Sequence, residues 1–510
     1  MLANVLTGAV DGLDPLMVRV EVHLASGLPT FTVVGLAQGA VREGRERVTA
    51  ALRNANFTLP HRRITVNLAP AAVRKGGAAF DLPIAIGLLL AGGVVEPAVR
   101  PRKAFLGELS LDGSLRPVSG VLPIASRCRE SGVETLFVPL ENAREAAVVR
   151  GLSVLGASSL GEVVRHLTGV HALTPTRVDA DALLASSHSC GLDLIDVRGQ
   201  GAAKRALEVA AAGAHNLLLV GPPGAGKTMI ARRLPEILPP LTLDEALETT
   251  RVHSVAGHLR GGSALVSERP FRAPHHKVSD AGLAGGSAPL RPGEMSLAHH
   301  GVLFLDELAE FRRNALEALR QPLEEGAIRL SRVRGSFRLP ARFILVAAMN
   351  PCPCGYFGDG SDRCVCDPAQ VGRYRSRVSG PLMDRIDIHV HVPPVPFRSL
   401  GGTGGGESSL TVRDRVAGAR AIQSSRFLGL ADVHANAHMG PAEIRRWCRQ
   451  SREVARLLQH SVERTGLSAR AYHRVLKVAR TLADLCGSQD IALEHAAEAV
   501  QYRQPRIEPE

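Results

Sequence analysis

Residues 217–228 read LLLVGPPGAGKT, an apolar run followed directly by a glycine-rich loop and then by a helical stretch. Strand, loop and helix in this order are the context of a phosphate-binding loop, because glycines let successive backbone amides face a phosphate at a helix amino terminus. The amine of Lys227 would reach the β and γ phosphates, and the hydroxyl of Thr228 would bind Mg²⁺. The stretch predicts a nucleotide site made by Gly221, Pro222, Pro223, Gly224, Ala225, Gly226, Lys227 and Thr228.

Two further apolar runs end in polar side chains that belong to the same predicted sheet edge. VLFLDE places Asp306 and Glu307 directly after a strand, and FILVAAMN ends at Asn350. The carboxyl ends of parallel strands meet at one edge, where such sheets bind ligands. We expect Asp306 to hold the Mg²⁺ shell, Glu307 to orient and deprotonate the attacking water, and Asn350 to position that water. The alternative is that the acidic pair merely caps a helix.

The pattern of strands and helices predicts three folded regions. From residue 217 onward, buried-type strands alternate with helices, which is typical of an α/β fold with a parallel sheet covered on both faces. The region before it mixes short β-like runs with helical patterns and predicts an α+β domain, and the region after it is helical. The glycine-rich stretch at 401–409 predicts a flexible connection. The predicted boundaries are 1–170 for the first domain, 171–190 for a linker, 191–397 for the α/β core and 398–510 for a helical lid.

Composition limits the classes of partner. The 510-residue chain carries a formal net charge of +12, and clustered Lys and Arg release counterions from nucleic-acid phosphates. Single-stranded or branched DNA is therefore an expected partner, although an Arg-rich composition also follows from a GC-rich genome. The amino terminus lacks a secretory signal, and the apolar run at 82–95 is shorter than the ~20 residues that span a bilayer. We therefore expect a cytoplasmic chain without a membrane partner.

Four of the eight cysteines lie together in one glycine- and aspartate-rich loop after Asn350, as CPC and CVC. Four thiolates from one loop could close a tetrahedral Zn²⁺ site and stiffen the loop. The spacing within each pair is CxC rather than the commoner CxxC, which leaves unliganded or redox-labile thiols as the alternative. The zinc hypothesis concerns Cys352, Cys354, Cys364 and Cys366.

The segment IRLSRVRGSFRLP holds Arg332, Arg334 and Arg338 at even spacing. If the segment forms a hairpin, even spacing would place the three on one face, where they would contact DNA phosphates. A solvated arginine face is the alternative.

Two histidine pairs flank the segment that precedes the acidic strand: His275 with His276, and His299 with His300. They lack a Cys or acidic partner at metal-ligand spacing, so we expect them to have a structural or interface role.

The sequence resembles the Mg-chelatase-like AAA+ ATPase family of the ComM/YifB type over nearly its whole length. The motifs that carry the resemblance include GELSLDGSLRPVSGVLPIA, RPFRAPHH, MNPCPCG and RVSGPLMDRIDIHV. The resemblance implies ATP and Mg²⁺ as cofactors, and a hexameric ring that moves on DNA and promotes branch migration in recombination during natural transformation. It also implies Asn350 as a sensor, Arg385 as a finger that enters the neighbouring subunit's site, and Arg470 as a second sensor on the lid.

The amino-terminal region resembles the Lon-protease and ribosomal-S5-like α+β fold, which raises a peptidase as an alternative. That chemistry needs a Ser nucleophile with a Lys as its base. At the corresponding positions the sequence has Ala78 and Ala79 in place of the Ser, and Val121 and Leu122 in place of the Lys. A binding or assembly module is therefore the expected role of this domain.

Two other functions stay open beside the DNA motor. One is a Mg-chelatase-type ATPase subunit that drives metal insertion into a porphyrin, and the other is a protein-remodelling AAA+ ATPase. The chelatase motor, as the family is known, lacks the Lon-like domain and the CPCG loop, and the remodeller is suggested only by a domain whose dyad is missing. Net charge favours DNA over both.

Overall fold

The computed structural model describes the chain except for residues 36–38, 60, 72–76, 97–101, 186–190, 260–261, 287–289, 333–334, 396–405, 431, 466–467 and 504–510. The strands are β1 Leu2–Asp11, β2 Asp14–Ala25, β3 Thr30–Val34, β4 Arg63–Ala69, β5 Lys103–Phe105, β6 Glu108–Leu109, β7 Leu115–Arg116, β8 Thr135–Pro139, β9 Ser153–Ala157, β10 Leu217–Val220, β11 Phe271–Arg272, β12 Val302–Leu305, β13 Ala327–Arg332, β14 Gly335–Pro340, β15 Ile344–Met349 and β16 Ile388–His391.

The helices are α1 Gly39–Asn54, α2 Asp81–Ala91, α3 Val121–Glu130, α4 Leu140–Ala146, α5 Leu160–Leu167, α6 Ala180–Ala185, α7 Gly201–Gly213, α8 Lys227–Ala231, α9 Leu234–Ile237, α10 Leu243–Ala256, α11 Asp280–Ala284, α12 Glu294–Leu297, α13 Arg313–Ala318, α14 Pro322–Glu325, α15 Pro368–Arg375, α16 Gly380–Met383, α17 Ser409–Arg426, α18 Pro441–Trp447, α19 Arg452–Thr465, α20 Ala469–Leu485 and α21 Leu493–Gln501. Among the described residues, we find no helix with both the length and the hydropathy of a membrane-spanning segment.

These elements form two compact units, each made from more than one stretch of chain. Unit one comprises Met1–Ser187, Thr242–Ser267 and Gly286–Pro292, and unit two comprises the stretches His188–Leu241, Glu268–Gly285 and Gly293–Glu510. The domain boundaries taken from the sequence stay predictions. Residues 180–185 of the predicted linker form α6, and its residues 186–190 lie outside the described residues, as do residues 401–405 of the predicted glycine-rich connection.

Unit one is built on a seven-stranded mixed sheet in the order β3-β4-β2-β1-β5-β8-β9. β1 and β2 form an antiparallel hairpin whose register runs from Leu2 opposite His23 to Asp11 opposite Asp14. α2 packs on both of these strands, and ten of its eleven residues are buried. Its sequence, DLPIAIGLLLA, is apolar on nearly every face, which is the composition of a core helix.

A helix from the second stretch of unit one packs against its first stretch. α10 packs on α3, and its Ser254 hydroxyl donates to a carboxylate oxygen of Glu145 at 2.5 Å. The same oxygen accepts the backbone N–H of Leu122 at 2.8 Å. Burial raises the pKa of Glu145, and these donors oppose the shift. The Thr242–Ser267 stretch therefore supplies a hydrogen bond to the interior of unit one.

Unit two is built on a five-stranded parallel sheet in the order β11-β12-β15-β10-β16. Every residue of β10, β12 and β15 is buried, as expected for apolar strands covered on both faces. The carboxyl-terminal helices pack against this core: Arg420 of α17 donates to the Ala211 carbonyl at 2.9 Å, and Gln423 donates to the Ala212 carbonyl at 3.0 Å. Core and helical region are therefore one compact unit, with the ends of β10, β12 and β15 at one edge.

The arginine-rich segment forms a hairpin, but its positions 332 and 338 lie on opposite faces. β13 and β14 are antiparallel, and their register pairs Arg329 with Arg338 and Arg332 with Gly335. Paired residues lie on the same face, whereas residues three apart in one strand lie on opposite faces. The position of Arg332 is therefore opposite in face to Arg338, so the prediction of a single face was wrong. Residues at even spacing share a face only within one strand, and the turn between β13 and β14 shifts this alternation. Arg334 lies outside the described residues.

Candidate nucleotide site

The glycine-rich loop connects the end of β10 to the start of α8 and borders a cavity of about 410 Å³. At its first position only glycine fits, because a Cβ on Gly221 would overlap the carbonyl oxygen of Val392. Gly224 and Gly226 have φ of 77° and 86°, in the left-handed region that favours glycine. The cavity is lined by Pro223, Gly224, Ala225, Gly226, Lys227, Thr228, Met229, Asp306, Glu307, Met349 and Asn350.

Lys227 is held in place by the loop itself and by Asn350. Its ammonium donates to the carbonyls of Gly221 at 2.7 Å and Pro222 at 2.9 Å, and to the side-chain oxygen of Asn350 at 3.1 Å. Burial lowers the pKa of Lys227, and the nearby carboxylates oppose this shift. A bound triphosphate would add anionic partners to this buried cation.

Thr228 and Asp306 place two side-chain oxygen atoms next to each other beside the phosphate-binding loop. The Thr228 hydroxyl donates to a carboxylate oxygen of Asp306 at 2.7 Å, and the other oxygen accepts the backbone N–H of Glu307 at 3.0 Å. Hydroxyl and carboxylate oxygens are the protein ligands that Mg²⁺ uses beside nucleotide phosphates, so this pair fits the ion. When bound, Mg²⁺ would neutralise charge on the phosphates.

Glu307 contacts a histidine rather than the loop. A carboxylate oxygen of Glu307 lies 3.1 Å from Nδ1 of His276, and 56% of the Glu307 side chain is exposed. The backbone of Glu307 has φ of 53°, an uncommon conformation for a residue with a side chain. The sequence predicted a structural or interface role for His276 and did not indicate this contact. Its one sequence signal was the RPFRAPHH motif, in which nothing distinguishes His276 from His275.

The two predicted arginines do not border the cavity in this chain. Arg385 is only 6% exposed, donates to the carbonyl of Pro381 at 2.6 Å and forms an ion pair with Glu324. Arg470 lies exposed in the first turn of α20. The structure thus brings together Lys227, Thr228, Asp306, Glu307 and Asn350, and leaves Arg385 and Arg470 apart from them.

A buried ion pair, absent from the sequence predictions, ties α20 to the core. Arg474 of α20 pairs with Asp387, which also accepts the backbone N–H of Asn216 at 2.9 Å. Burial acts to raise the pKa of Asp387, but the charges of Arg474 and His215 outweigh it and hold the pKa far below its usual range. Asp387 therefore stays ionised between α20 and the segment before β10.

The four cysteines of the loop after β15 lie together. Their sulfur atoms are all within 4.8 Å of one another, with separations of 3.3 Å for Cys352–Cys354, 3.8 Å for Cys352–Cys364 and 3.7 Å for Cys354–Cys364. Four thiolates at the ~2.3 Å Zn–S distance of a tetrahedral site would be roughly 3.8 Å apart, so Cys352, Cys354, Cys364 and Cys366 fit Zn²⁺. The loop also packs on the phosphate-binding loop, because a Cβ on Gly355 would lie 2.6 Å from Pro223.

Parallel strands that carry a glycine-rich loop, a Lys, a Thr–Asp pair and an acidic residue are the features of a P-loop nucleoside triphosphatase of the AAA+ type. Three family models match the chain: "Magnesium chelatase, subunit ChlI" over residues 193–400, "Subunit ChlI of Mg-chelatase" over 20–142 and "Magnesium chelatase, subunit ChlI C-terminal" over 406–503. The chain belongs to the Mg-chelatase-like AAA+ family of the ComM and YifB type. The family implies ATP and Mg²⁺ and suggests ATPase activity.

Individual relatives are similar over their full length. Competence protein ComM of Haemophilus influenzae is 46% identical over 504 residues, which cover 98% of this chain and 97% of that protein. The uncharacterized protein YifB of Escherichia coli is 44% identical over 503 residues, with the same coverage. An uncharacterized protein of Mycobacterium tuberculosis is 43% identical over 497 residues, 97% of each chain.

Proposed function

We propose that this chain is an ATP-driven DNA motor, a hexameric ring that promotes branch migration during recombination of DNA taken up in natural transformation. The observation that carries the ATPase part is the grouping of Lys227, Thr228, Asp306, Glu307 and Asn350 around one cavity. Lys227 and the Mg²⁺ ligands would stabilise charge on the transferred phosphoryl group, and Glu307 would take a proton from the attacking water.

The DNA part of the proposal rests on similarity and charge. A relative named for competence is 46% identical along nearly the whole chain, and the net charge of +12 suits a polyanionic partner. We propose that the β13–β14 hairpin contacts DNA phosphates through Arg332, Arg334 and Arg338, with contacts from both faces of the hairpin. Arg338 is exposed and available for such a contact.

The ring part of the proposal concerns Arg385 and Arg470, which are apart from the cavity of their own chain. For Arg385 to act as a finger, it must exchange its pairing with Glu324 for the phosphates bound by a neighbouring subunit. Arg470 would act from the lid. This arrangement makes each site depend on two subunits.

A mixing experiment tests the ring. Arg385→Ala chains keep their own loop but lack the finger, whereas Lys227→Ala chains keep the finger but lack the loop. Each variant alone should be inactive, and a mixture should recover part of the ATPase rate. No recovery, with assembly intact by sedimentation, would rule out a finger that acts between subunits.

The motor itself is tested by ATP hydrolysis with and without single-stranded, double-stranded and branched DNA, using Glu307→Gln as the inactive control. Several-fold stimulation by DNA, lost in the variant, supports a DNA motor. A hydrolysis rate that no DNA changes would favour the alternatives, a protein-remodelling ATPase or a Mg-chelatase-type subunit. Stimulation of the rate by a protein or by a tetrapyrrole would then distinguish these two.

A further inference from the structure

We propose that an open cavity in unit one binds one nucleotide unit of single-stranded DNA, with the base against phenylalanine rings and the adjoining phosphates against arginines. The cavity has a volume of about 550 Å³ and is formed by the end of α1, the start of β3 and the segment that leads into β4. It shares no lining residue with the nucleotide site. The inference rests on the proposed DNA motor and assigns part of its DNA contact to a defined site.

The cations of this cavity have no acidic partner. Arg53, His61 and Arg62 line the cavity and are exposed, and none of the described lining residues is acidic. Within the described part of the chain, these three side chains form no ion pair and no hydrogen bond. An anionic ligand would therefore meet positive charge that no ion pair among the described residues already neutralises.

The cavity also presents aromatic rings that the fold holds in place. Phe31 and Phe57 are partly buried, and both pack against the hydrophobic core of unit one while they line the cavity. The end of α1 fixes Phe57, because its backbone N–H donates to the Leu52 carbonyl at 2.9 Å after a turn in which Asn56 has φ of 63°. A ring held in this way is a preformed stacking surface for an unpaired base.

Rings beside cations are the combination that binds single-stranded nucleic acid. Bases stack on aromatic faces whatever the sequence, and arginines contact the phosphates between them. In a duplex the base faces are already stacked on one another, so the two phenylalanines would contribute nothing to duplex binding. A free mononucleotide has the same chemistry as one unit of a strand. Most of the lining residues are exposed, however, and a cavity that opens to solvent lets a strand continue beyond the bound unit.

The test measures binding of a short fluorescent oligothymidylate to the full-length chain over a range of salt concentrations. Arg53→Ala combined with Arg62→Ala should lower the affinity about tenfold and flatten its salt dependence, because phosphate contacts are lost. Phe57→Leu keeps an apolar side chain against the core but removes the ring, so the affinity should fall about tenfold with an unchanged salt dependence. Arg63→Ala is the matched control and should leave the affinity nearly unchanged, because Arg63 is exposed and follows Arg62 but does not line the cavity.

Photocrosslinking locates the bound strand directly. An oligonucleotide that carries iodouracil should crosslink to the peptide that contains Phe57, and Phe57→Leu should lose this crosslink. Should Phe57→Leu fail to fold, the arginine pair decides, because both of its side chains are exposed. Unchanged affinity in the cavity variants, or crosslinks confined to unit two, would overturn the proposal.

Two other occupants are outcomes of the same experiments. Displacement of the crosslink by thymidine monophosphate at the concentration of the oligonucleotide would assign the cavity to a free nucleotide. Loss of self-association in the arginine variant, measured by sedimentation, would assign it to a contact between subunits. Either result would overturn the proposal.

The results also separate this site from the motor. If DNA stimulates ATP hydrolysis but the cavity variants bind single-stranded DNA normally, the site is wrong and the motor stands. If the crosslink at Phe57 forms but no DNA changes the rate of hydrolysis, the site stands and the motor is wrong.

Discussion

Lys227 and Glu307 line the same cavity, but their replacements should have different effects, because we propose that Lys227 binds the nucleotide and that Glu307 acts on water. Lys227→Ala removes the buried cation that we expect to bind the phosphates, so ATP affinity should fall. Glu307→Gln keeps size and polarity but removes the proposed general base, so turnover should fall by roughly 10²- to 10⁴-fold with ATP affinity retained. Calorimetric titration of ATP beside a turnover assay separates the two; equal loss of affinity in both variants would contradict these roles.

His389 predicts a pH dependence of stability at the level of one residue. Burial and the charge of Arg503 lower the pKa of His389 to about 4, below the ~6.5 of an unfolded histidine. As pH falls from 7 toward 5, the unfolded state takes up the proton first, so stability present above pH ~6.5 is lost toward pH 4. The expected loss from this residue between pH 7 and 5 is about 2 kcal/mol.

Urea unfolding at the two pH values measures this loss. His389→Gln should flatten the pH dependence, whereas His460→Gln, at an exposed position of α19, should leave it unchanged. Equal slopes for the unaltered chain and His389→Gln would show that His389 is not protonated preferentially in the unfolded state.

At the scale of elements, we expect the four-cysteine loop to form a structural zinc site next to the phosphate-binding loop. Purified protein is expected to hold about one Zn²⁺ per chain, because the four sulfur atoms already approach tetrahedral spacing. Cys364→Ser should release zinc and lower the midpoint of thermal unfolding, whereas Cys486→Ser, at an exposed cysteine outside the loop, should do neither. Zinc well below one equivalent per chain, with the four thiols of the loop titratable in the native protein, would contradict the zinc site.

The attachment of α20 to the core should depend on Asp387. Asp387→Asn preserves shape but leaves the Arg474 cation without its carboxylate, which should destabilise unit two by about 3–5 kcal/mol. Asp432→Asn is the matched control, since it breaks an ion pair with Arg342 in which Asp432 is 84% exposed, and should cost less than ~1 kcal/mol. Chemical denaturation measures both, and similar losses would show that burial of the Asp387 pair is unimportant.

The sequence predicted well those elements whose pattern lies within one short stretch of chain. An apolar strand that ends in polar residues determines where Asp306, Glu307 and Asn350 lie, because parallel strands share an edge. The contact of His276 with Glu307 had no such signal, since it joins separate stretches of chain. The faces of the β13–β14 hairpin were mispredicted because they depend on the residue count of the turn, which even spacing does not reveal.

At the scale of the whole molecule, the family and the α/β core were predictable, but the composition of unit one was not. α10 carries the pattern of a helix with a buried face, and such a pattern does not identify the core against which that face packs. The helix lies between two stretches of unit two in sequence, yet it packs on α3 of unit one. Only the three-dimensional structure assigns it.

This assignment predicts that a substitution in α10 destabilises unit one. Ser254→Ala removes a donor to the buried Glu145 carboxylate, so unit one should lose about 1–3 kcal/mol. Ser26→Ala, at an exposed turn after β2, should change little. Hydrogen exchange of β1 and β2 amides reports on unit one specifically; unchanged protection in Ser254→Ala would show that the hydrogen bond contributes nothing.

The chain passes between the two units five times, after Ser187, Leu241, Ser267, Gly285 and Pro292. During synthesis on the ribosome, the first 187 residues emerge before α10. The surface of α3 that this helix covers therefore stays exposed to solvent until Ala256 has left the exit tunnel. Unit one thus finishes folding only after the phosphate-binding loop has been translated. Genes cut near codon 190 should yield an aggregation-prone product, and an amino-terminal module from this family would have to be transplanted together with its α10 stretch.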